Sequence, residues 1–285
     1  MVGKSGVEAP EELEIASAVS TDRNAPIGIF DSGLGGLSVW REIAAMMPAE
    51  HVQYIADSAF VPYGVRPPEE IRARSIAVAG FLVERGVKLV VVACNTASAH
   101  AIDELRTAYP GMTFVGLEPA VKPAVGMTMT GRVGVLATPR TVTGDRLRVL
   151  IDHWSDGVQV HTIAGNGMVE LVEAGVLGGD DVNAVIGPIL DPLLEDHVDV
   201  LVLGCTHYPF LHDAIADYVG PAVRVIDSGN AIARRTLSLL QNGRLLHDRG
   251  QAGSITLFTT GDADEATRVS TLLTSRELTA THVDV

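Results

Sequence analysis

Two cysteines are the residues of this chain best suited to acid–base chemistry. Cys94 lies in ACNTASA (93–99) and Cys205 lies in LGCTHYP (203–209). Each follows an apolar run typical of a buried strand and precedes a helix-like segment. Because N–H groups at a helix start stabilise a nearby anion, we expect the pKa of such a thiol to fall from about 8.5 toward neutrality. Thiols in this state can accept and donate protons.

A purely structural interpretation of the two cysteines remains open. Free cysteine is among the most buried residue types and often packs as a small hydrophobe, which explains either thiol taken alone equally well. Two cysteines in 285 residues do not make a disulfide framework, and in a reducing cytoplasm they are free thiols. Their matching strand-end contexts favour the chemical interpretation.

A glycine-rich loop follows the first predicted strand. Asp31 and Ser32 open the loop DSGLGG (31–36) after the strand IGIF (27–30). Its glycines let the backbone approach a ligand closely, and the helix start beyond it can hold a carboxylate. The spacing matches neither a dinucleotide fingerprint nor a phosphate loop. A turn capped by the aspartate explains it equally well.

Polar residues directly follow both thiols: Asn95 and Thr96 come after Cys94, and Thr206 and His207 come after Cys205. A separate turn, Pro62-Tyr63-Gly64, follows Asp57. A histidine two residues from a thiol can tune its protonation. A Pro-Tyr-Gly turn is commonly structural, with the tyrosine covering a core edge. No Cys/His cluster has zinc spacing, so no metal site is expected. Lys88 and Lys122 are Schiff-base candidates by elimination only.

The sequence predicts alternating strands and helices, and these elements must position the residues named above. The predicted strands are 27–30, 52–56, 89–93, 113–117, 133–137, 158–163, 200–204, 223–226 and 255–259. Several are apolar throughout, as parallel strands covered on both faces are. LVVVACNTASA (89–99) and VLVLGCTHYP (200–209) echo each other, which favours a duplicated α/β unit. Ligands of such sheets bind beyond the carboxyl ends of the strands, where both cysteines fall.

Composition narrows the classes of function. The chain carries 21 basic and 35 acidic residues, a net charge of −14, and it has no basic patch, so nucleic acid is not an expected partner. No apolar run approaches the roughly 20 residues of a membrane helix. Residues 1–24 are mostly polar and resemble no secretion signal. We expect a flexible tail there and a cytoplasmic protein.

Together these motifs make the chain resemble the glutamate racemases of the aspartate/glutamate racemase family. The resemblance runs from Ile27 to about Thr260. Its motifs are DSGLGG (31–36), PYG (62–64), ACNTASA (93–99), LGCTHYP (203–209), IDSG (226–229) and FTTGD (258–262). Each fragment alone is weak, whereas two Cys-Thr motifs in this order and context are specific.

The resemblance implies an α/β fold with two pseudo-symmetric lobes, mostly parallel sheets flanked by helices, and an active site between the lobes. It places 25–118 and 230–285 in the first lobe and 119–229 in the second. The implied activity interconverts L- and D-glutamate without a cofactor and supplies D-glutamate for peptidoglycan. A homodimer is the expected assembly.

The resemblance also implies roles for individual residues. Cys94 would remove the Cα proton of D-glutamate, Cys205 would protonate the opposite face, and the roles would reverse for L-glutamate. Asp31 matches the acid assisting Cys94, His207 matches the residue assisting Cys205, and a further family glutamate falls at Glu173. The substrate-binding positions are Asp31, Ser32, Pro62, Tyr63, Gly64, Asn95, Thr96, Thr206 and His207.

Some positions depart from the family pattern. Gly165 and Asn166 stand where many relatives carry Cys-Pro, which loosens the alignment before Glu173. Phe60 stands where arginine is common. Three other activities remain open from the residues alone: an aspartate racemase, a thiol amidase in which one cysteine is the nucleophile, and an amino-acid sensor that leaves chirality unchanged.

Overall fold

The computed structural model describes residues 20–247, 250 and 252–285. Within this part of the chain ten strands form two sheets. The strands are β1 (Ile27–Asp31), β2 (Val52–Ala56), β3 (Leu89–Val92), β4 (Phe114–Gly116), β5 (Arg132–Ala137), β6 (Gln159–Ala164), β7 (Val200–Gly204), β8 (Arg224–Ile226), β9 (Ile255–Thr259) and β10 (Ala280–His282). Nine of these follow the predicted strands, with ends that differ by one residue at most.

Helices separate most of the strands. They are α1 (Leu37–Met46), α2 (Pro68–Glu84), α3 (Asn95–Ala108), α4 (Val121–Met127), α5 (Pro139–Val142), α6 (Asp145–Trp154), α7 (Met168–Glu173), α8 (Asp180–Glu195), α9 (His212–Val219), α10 (Gly229–Asn242) and α11 (Ala263–Thr274). Local sequence explains the starts of α2 and α11. Proline opens α2 with two glutamates in its first turn, and the Asp262 side chain caps α11 by accepting from Glu265 N at 2.8 Å.

The first sheet has six strands in the order β10-β9-β2-β1-β3-β4, and the second has four in the order β6-β5-β7-β8. All the described strand pairs are parallel. The central strands β1, β3 and β7 are buried along their whole length, which explains their continuous apolar sequences. The prediction of an α/β fold with parallel sheets flanked by helices is confirmed.

Each sheet with its helices forms one lobe. The six-stranded sheet of the first lobe takes strands from 27–116 and 255–282, and the second lobe's sheet takes strands from 132–226. Helix α10 packs against α1, on the first lobe. The exact boundaries at 118/119 and 229/230 stay a prediction. Most of the predicted 1–24 tail lies outside the described residues.

The two lobes share one continuous cluster of buried apolar side chains. It includes Leu34 and Trp40 of the first lobe with Leu136 and Met168 of the second. Burial of this shared apolar surface holds the carboxyl ends of β1 and β3 close to those of β5 and β7. Within the part of the chain that the structure describes, no helix is both long and apolar enough to cross a bilayer.

Candidate active site

A closed cleft between the lobes gathers nearly all the predicted site residues. Its volume is about 10 Å³, about the room that one water molecule needs. Its lining comprises Asp31, Ser32, Pro62, Tyr63, Gly64, Cys94, Asn95, Thr96, Thr138, Val169, Cys205, Thr206 and His207. Both thiols and every predicted substrate-binding residue therefore meet in one space. Glu173 is the one predicted site residue that does not line it.

Cys94 caps the start of α3 from the end of β3. Its Sγ accepts a hydrogen bond from Ala97 N at 3.4 Å and donates to Ser32 Oγ at 3.8 Å. Burial, together with the charge of Asp31, raises the pKa of the Cys94 thiol well above its usual value. The expectation of a lowered pKa was wrong for this cysteine, because the Ala97 N–H does not offset burial beside a carboxylate.

Asp31 ends β1 beside Cys94 and is fully buried. Its Oδ1 accepts from Ser32 N at 2.7 Å, and its Oδ2 accepts from Gly36 N at 2.6 Å and Thr206 Oγ1 at 3.3 Å. Burial raises the pKa of this carboxyl, although the positive charge of His207 and the N–H donors act in the opposite direction. The side chain thus joins the two lobes at the thiol site.

Cys205, His207 and Glu173 form a chain of contacts in the second lobe. Cys205 Sγ lies 3.7 Å from His207 Nδ1, and His207 Nε2 lies 2.6 Å from Glu173 Oε1. Burial alone would lower the pKa of His207, but its hydrogen bonds and charge interactions with Cys205 and Glu173 raise it well above its usual value. An imidazolium between two acidic groups results.

Glu173 ends α7 and reaches the cleft only through His207. The same Oε1 accepts a hydrogen bond from Leu34 N of the first lobe at 2.7 Å. Gly33 and Gly35 lie on either side of Leu34, and a Cβ on them would come within 2.2 Å of Glu173 Oε1 and of His207 Nδ1, respectively. The glycines that we predicted to approach a ligand therefore approach the histidine–glutamate pair of the other lobe.

Some polar groups around the cleft already make hydrogen bonds within the protein, and others do not. The Tyr63 hydroxyl donates to Asp57 Oδ2 at 2.5 Å, so the tyrosine ring and backbone are what remain for a ligand. Thr96 Oγ1 lies 2.9 Å from Thr138 Oγ1 across the lobes. Asn95 Nδ2 is buried and has no hydrogen-bond partner among the residues that the structure describes. An unpaired buried donor is costly, and a ligand carboxylate would satisfy it.

Thr138 and Val169 line the cleft but were missed at the level of sequence. Thr138 directly follows β5 and precedes Pro139, where its Oγ1 accepts from Thr141 N at 3.4 Å. This is the same strand-end signal that identified the cysteines, so it was available. Val169 lies among other apolar residues of α7 and carries no such signal.

The two lysines considered for a Schiff base lie away from the cleft. Lys88 is buried against Glu50, with Nζ 2.6 Å from Oε2, and it also donates to two backbone carbonyls. Lys122 Nζ lies 3.9 Å from the centre of the Trp154 ring. Among residues 20–247, 250 and 252–285, no three His, Cys, Asp or Glu side chains are grouped as a metal site.

Comparison with known proteins identifies the class to which this fold and cleft belong. The model of the Asp/Glu/hydantoin racemase family matches residues 27–236, and the chain belongs to that family. A glutamate racemase of Herpetosiphon aurantiacus is 48% identical over 240 residues, which cover 84% of this chain and 94% of the relative. The resemblance to glutamate racemases, and with it the prediction of an amino-acid racemase, is confirmed.

Solved structures agree with this assignment. Glutamate racemase isoform RacE1 from Bacillus anthracis superposes with a TM-score of 0.85 at 30% identity, covering 92% of this chain and 98% of that one. The glutamate racemase of Francisella tularensis, solved in complex with D-glutamate, gives a TM-score of 0.81 at 28% identity over the same shares of the two chains. The predicted two-lobed fold is thereby confirmed.

Proposed function

We propose that this chain interconverts L-glutamate and D-glutamate by moving the Cα proton between Cys94 and Cys205, with no cofactor. The observation that carries the proposal is the meeting of both thiols in one closed cleft, each beside its own ionisable partner. A single base would return the proton to the face from which it came. Two thiols on opposite faces of Cα invert the centre. Glutamate is the substrate because the similar enzymes act on it, one of them with D-glutamate bound.

The surroundings of the two thiols suit them to complementary steps. Cys94, which donates a hydrogen bond to Ser32 Oγ, is the proton donor when L-glutamate is bound. Cys205 is in contact with His207, with which it can exchange a proton. Asp31 assists Cys94, and Glu173 acts through His207 by holding its ring. For D-glutamate the thiols exchange roles.

The polar residues that line the cleft bind the substrate. The unpaired Nδ2 of Asn95 suits a carboxylate, and Ser32, Thr96, Thr206 and the Pro62–Gly64 wall line the same cleft. Without an electron sink, the developing carbanion must be stabilised by fixed donors in a site that excludes water. A cavity of about 10 Å³ meets the second condition, and it requires the lobes to separate when glutamate enters.

The cellular setting follows from the same proposal. D-glutamate would serve peptidoglycan synthesis. The proposed location is the cytoplasm, where a reducing environment keeps both thiols free. The proposed assembly is a homodimer, which sedimentation velocity tests directly.

Replacement of each thiol tests the mechanism. We expect Cys94→Ser and Cys205→Ser each to abolish racemisation of both enantiomers, because each variant lacks one of the two proton carriers. The measurement is polarimetry on D- and L-glutamate with no added cofactor, with circular dichroism to verify the fold. Near-normal turnover by either variant would contradict the two-base assignment.

Exchange of the Cα hydrogen for solvent deuterium separates the alternatives. Faster exchange on aspartate than on glutamate would contradict the assignment of glutamate as the substrate. A trapped thioester, with tolerance of substitution at one cysteine, would indicate a thiol amidase. Binding of glutamate with unchanged chirality after prolonged incubation would indicate a sensor.

A further inference from the structure

The segment between β2 and α2 forms one wall of the cleft and starts from a buried carboxylate. Asp57 directly follows β2 and is fully buried. Its backbone N–H donates to the carbonyl oxygen of Asp31 at 2.9 Å. Pro62–Gly64, five to seven residues further on, line the cleft, whereas the Asp57 side chain does not. Asp57 therefore lies behind the wall rather than in the cavity.

Four hydrogen bonds converge on the Asp57 carboxylate. Oδ2 accepts from Tyr63 Oη at 2.5 Å and from Arg74 Nε at 3.0 Å. Oδ1 accepts from Arg74 Nη2 at 2.7 Å and from Thr260 Oγ1 at 2.8 Å. The two bonds from Arg74 form a fork, which fixes the orientation of the carboxylate as well as its distance. The position of the Tyr63 ring is fixed in turn.

Arg74 is itself held in place from other directions. Its guanidinium lies 4.0 Å from the centre of the Phe60 ring, which belongs to the same wall segment. Its Nη1 donates to the carbonyl oxygen of Val285 at 2.7 Å. Bonding to Asp57 raises the pKa of Arg74, and burial raises the pKa of Tyr63, so the guanidinium stays charged and the phenol stays a donor.

We propose that Asp57 and Arg74 are positioning residues for racemisation, which hold Tyr63 and the adjoining Gly64 backbone where the substrate binds. This inference rests on the proposed function and adds the residues that fix one wall of its site. Neither side chain touches the cavity, so both act through Tyr63. The wall contains neither thiol, so a displaced wall weakens binding of substrate and transition state alike, which raises KM more than it lowers kcat.

A double-mutant cycle between Asp57 and Tyr63 tests the link. We expect Asp57→Asn to raise KM for glutamate roughly tenfold with kcat changed by less than about threefold, and Tyr63→Phe to shift KM in the same direction. The double variant should resemble Asp57→Asn alone, because both changes break the same contact. Arg74→Lys, which keeps the charge without the fork, should fall between wild type and Arg74→Met.

Glu50→Gln is the matched control, because it breaks a buried ion pair of the same lobe that has no part in the cleft. It should lower Tm and leave KM unchanged. An unchanged KM in Asp57→Asn, an equal rise of KM in the control, or additive effects in the cycle would overturn the proposal. If Asp57→Asn does not fold, Tyr63→Phe alone decides, since it removes a single oxygen.

The proposed function and this inference fail in distinguishable ways. A wild-type chain that does not racemise glutamate contradicts the function. Calorimetric titration of the same variants with D-glutamate then measures how the wall contributes to ligand affinity. An unchanged Kd in Asp57→Asn contradicts the positioning role. Racemisation by the wild type with unaffected variants contradicts the positioning role alone.

Discussion

Replacing Gly35 by alanine should disable catalysis while leaving most of the fold intact. A Cβ at this position would lie 2.2 Å from His207 Nδ1, whereas ordinary contact begins near 3.4 Å, so one group must move by about 3.4 − 2.2 = 1.2 Å. His207 is buried and lies in contact with both Cys205 and Glu173. A displacement of about 1 Å in catalytic groups can cost about 100-fold in rate, and overpacking typically costs about 1–3 kcal/mol of stability.

The assay compares Gly35→Ala with Gly126→Ala. Gly126 lies inside α4, and a Cβ there meets nothing within 4 Å, so this variant should keep full activity and gain slightly in stability. Polarimetry gives kcat/KM for both enantiomers, and urea unfolding gives the free energy of unfolding. A kcat/KM for Gly35→Ala within about twofold of wild type would refute the reasoning, because it would show that the loop yields without moving His207.

Two further predictions concern stability. Since burial raises the pKa of Cys94, the folded chain keeps this proton after the unfolded chain loses it, so the stabilisation is present below about pH 9 and is lost as pH rises through the folded value. Cys94→Ser should therefore flatten the alkaline decline of urea stability, and an identical decline would contradict this. Lys88→Met leaves the buried carboxylate of Glu50 without its cation, and we expect it to lower the free energy of unfolding by about 3–5 kcal/mol with KM unchanged. A cost below about 1 kcal/mol would show that the pair is solvated.

Most of the sheet architecture could be predicted because buried parallel strands are apolar without interruption. β7 (Val200–Gly204) and β2 (Val52–Ala56) have the predicted bounds. β10 was missed because it is short, and its sequence Ala-Thr-His is exposed at two of three positions at the edge of the sheet. An edge strand of this kind lacks the apolar run on which the prediction depends.

The site could be predicted only as far as strand ends reveal it. Both cysteines and Asp31 follow apolar runs, and the topology brings them to one cleft. The raised pKa of Cys94 could not be predicted, because it depends on burial of the end of β3 and on the nearby charge of Asp31, which only the folded chain brings together. The contacts of Gly33 and Gly35 with Glu173 and His207 span well over a hundred residues of sequence. Local pattern contains no information on such pairings.

Two carboxylates explain how closure of the lobes assembles the site. Asp31 of the first lobe accepts a hydrogen bond from Thr206 of the second, and Glu173 of the second accepts one from Leu34 of the first. Separation of the lobes would remove one donor from each carboxylate, and closure would restore both. Because Asp31 adjoins Cys94 within the first lobe and Glu173 holds His207 beside Cys205 within the second, each thiol keeps its own partner, and the contacts between the lobes bring both pairs to one cleft. The chemistry is therefore confined to the state that excludes water.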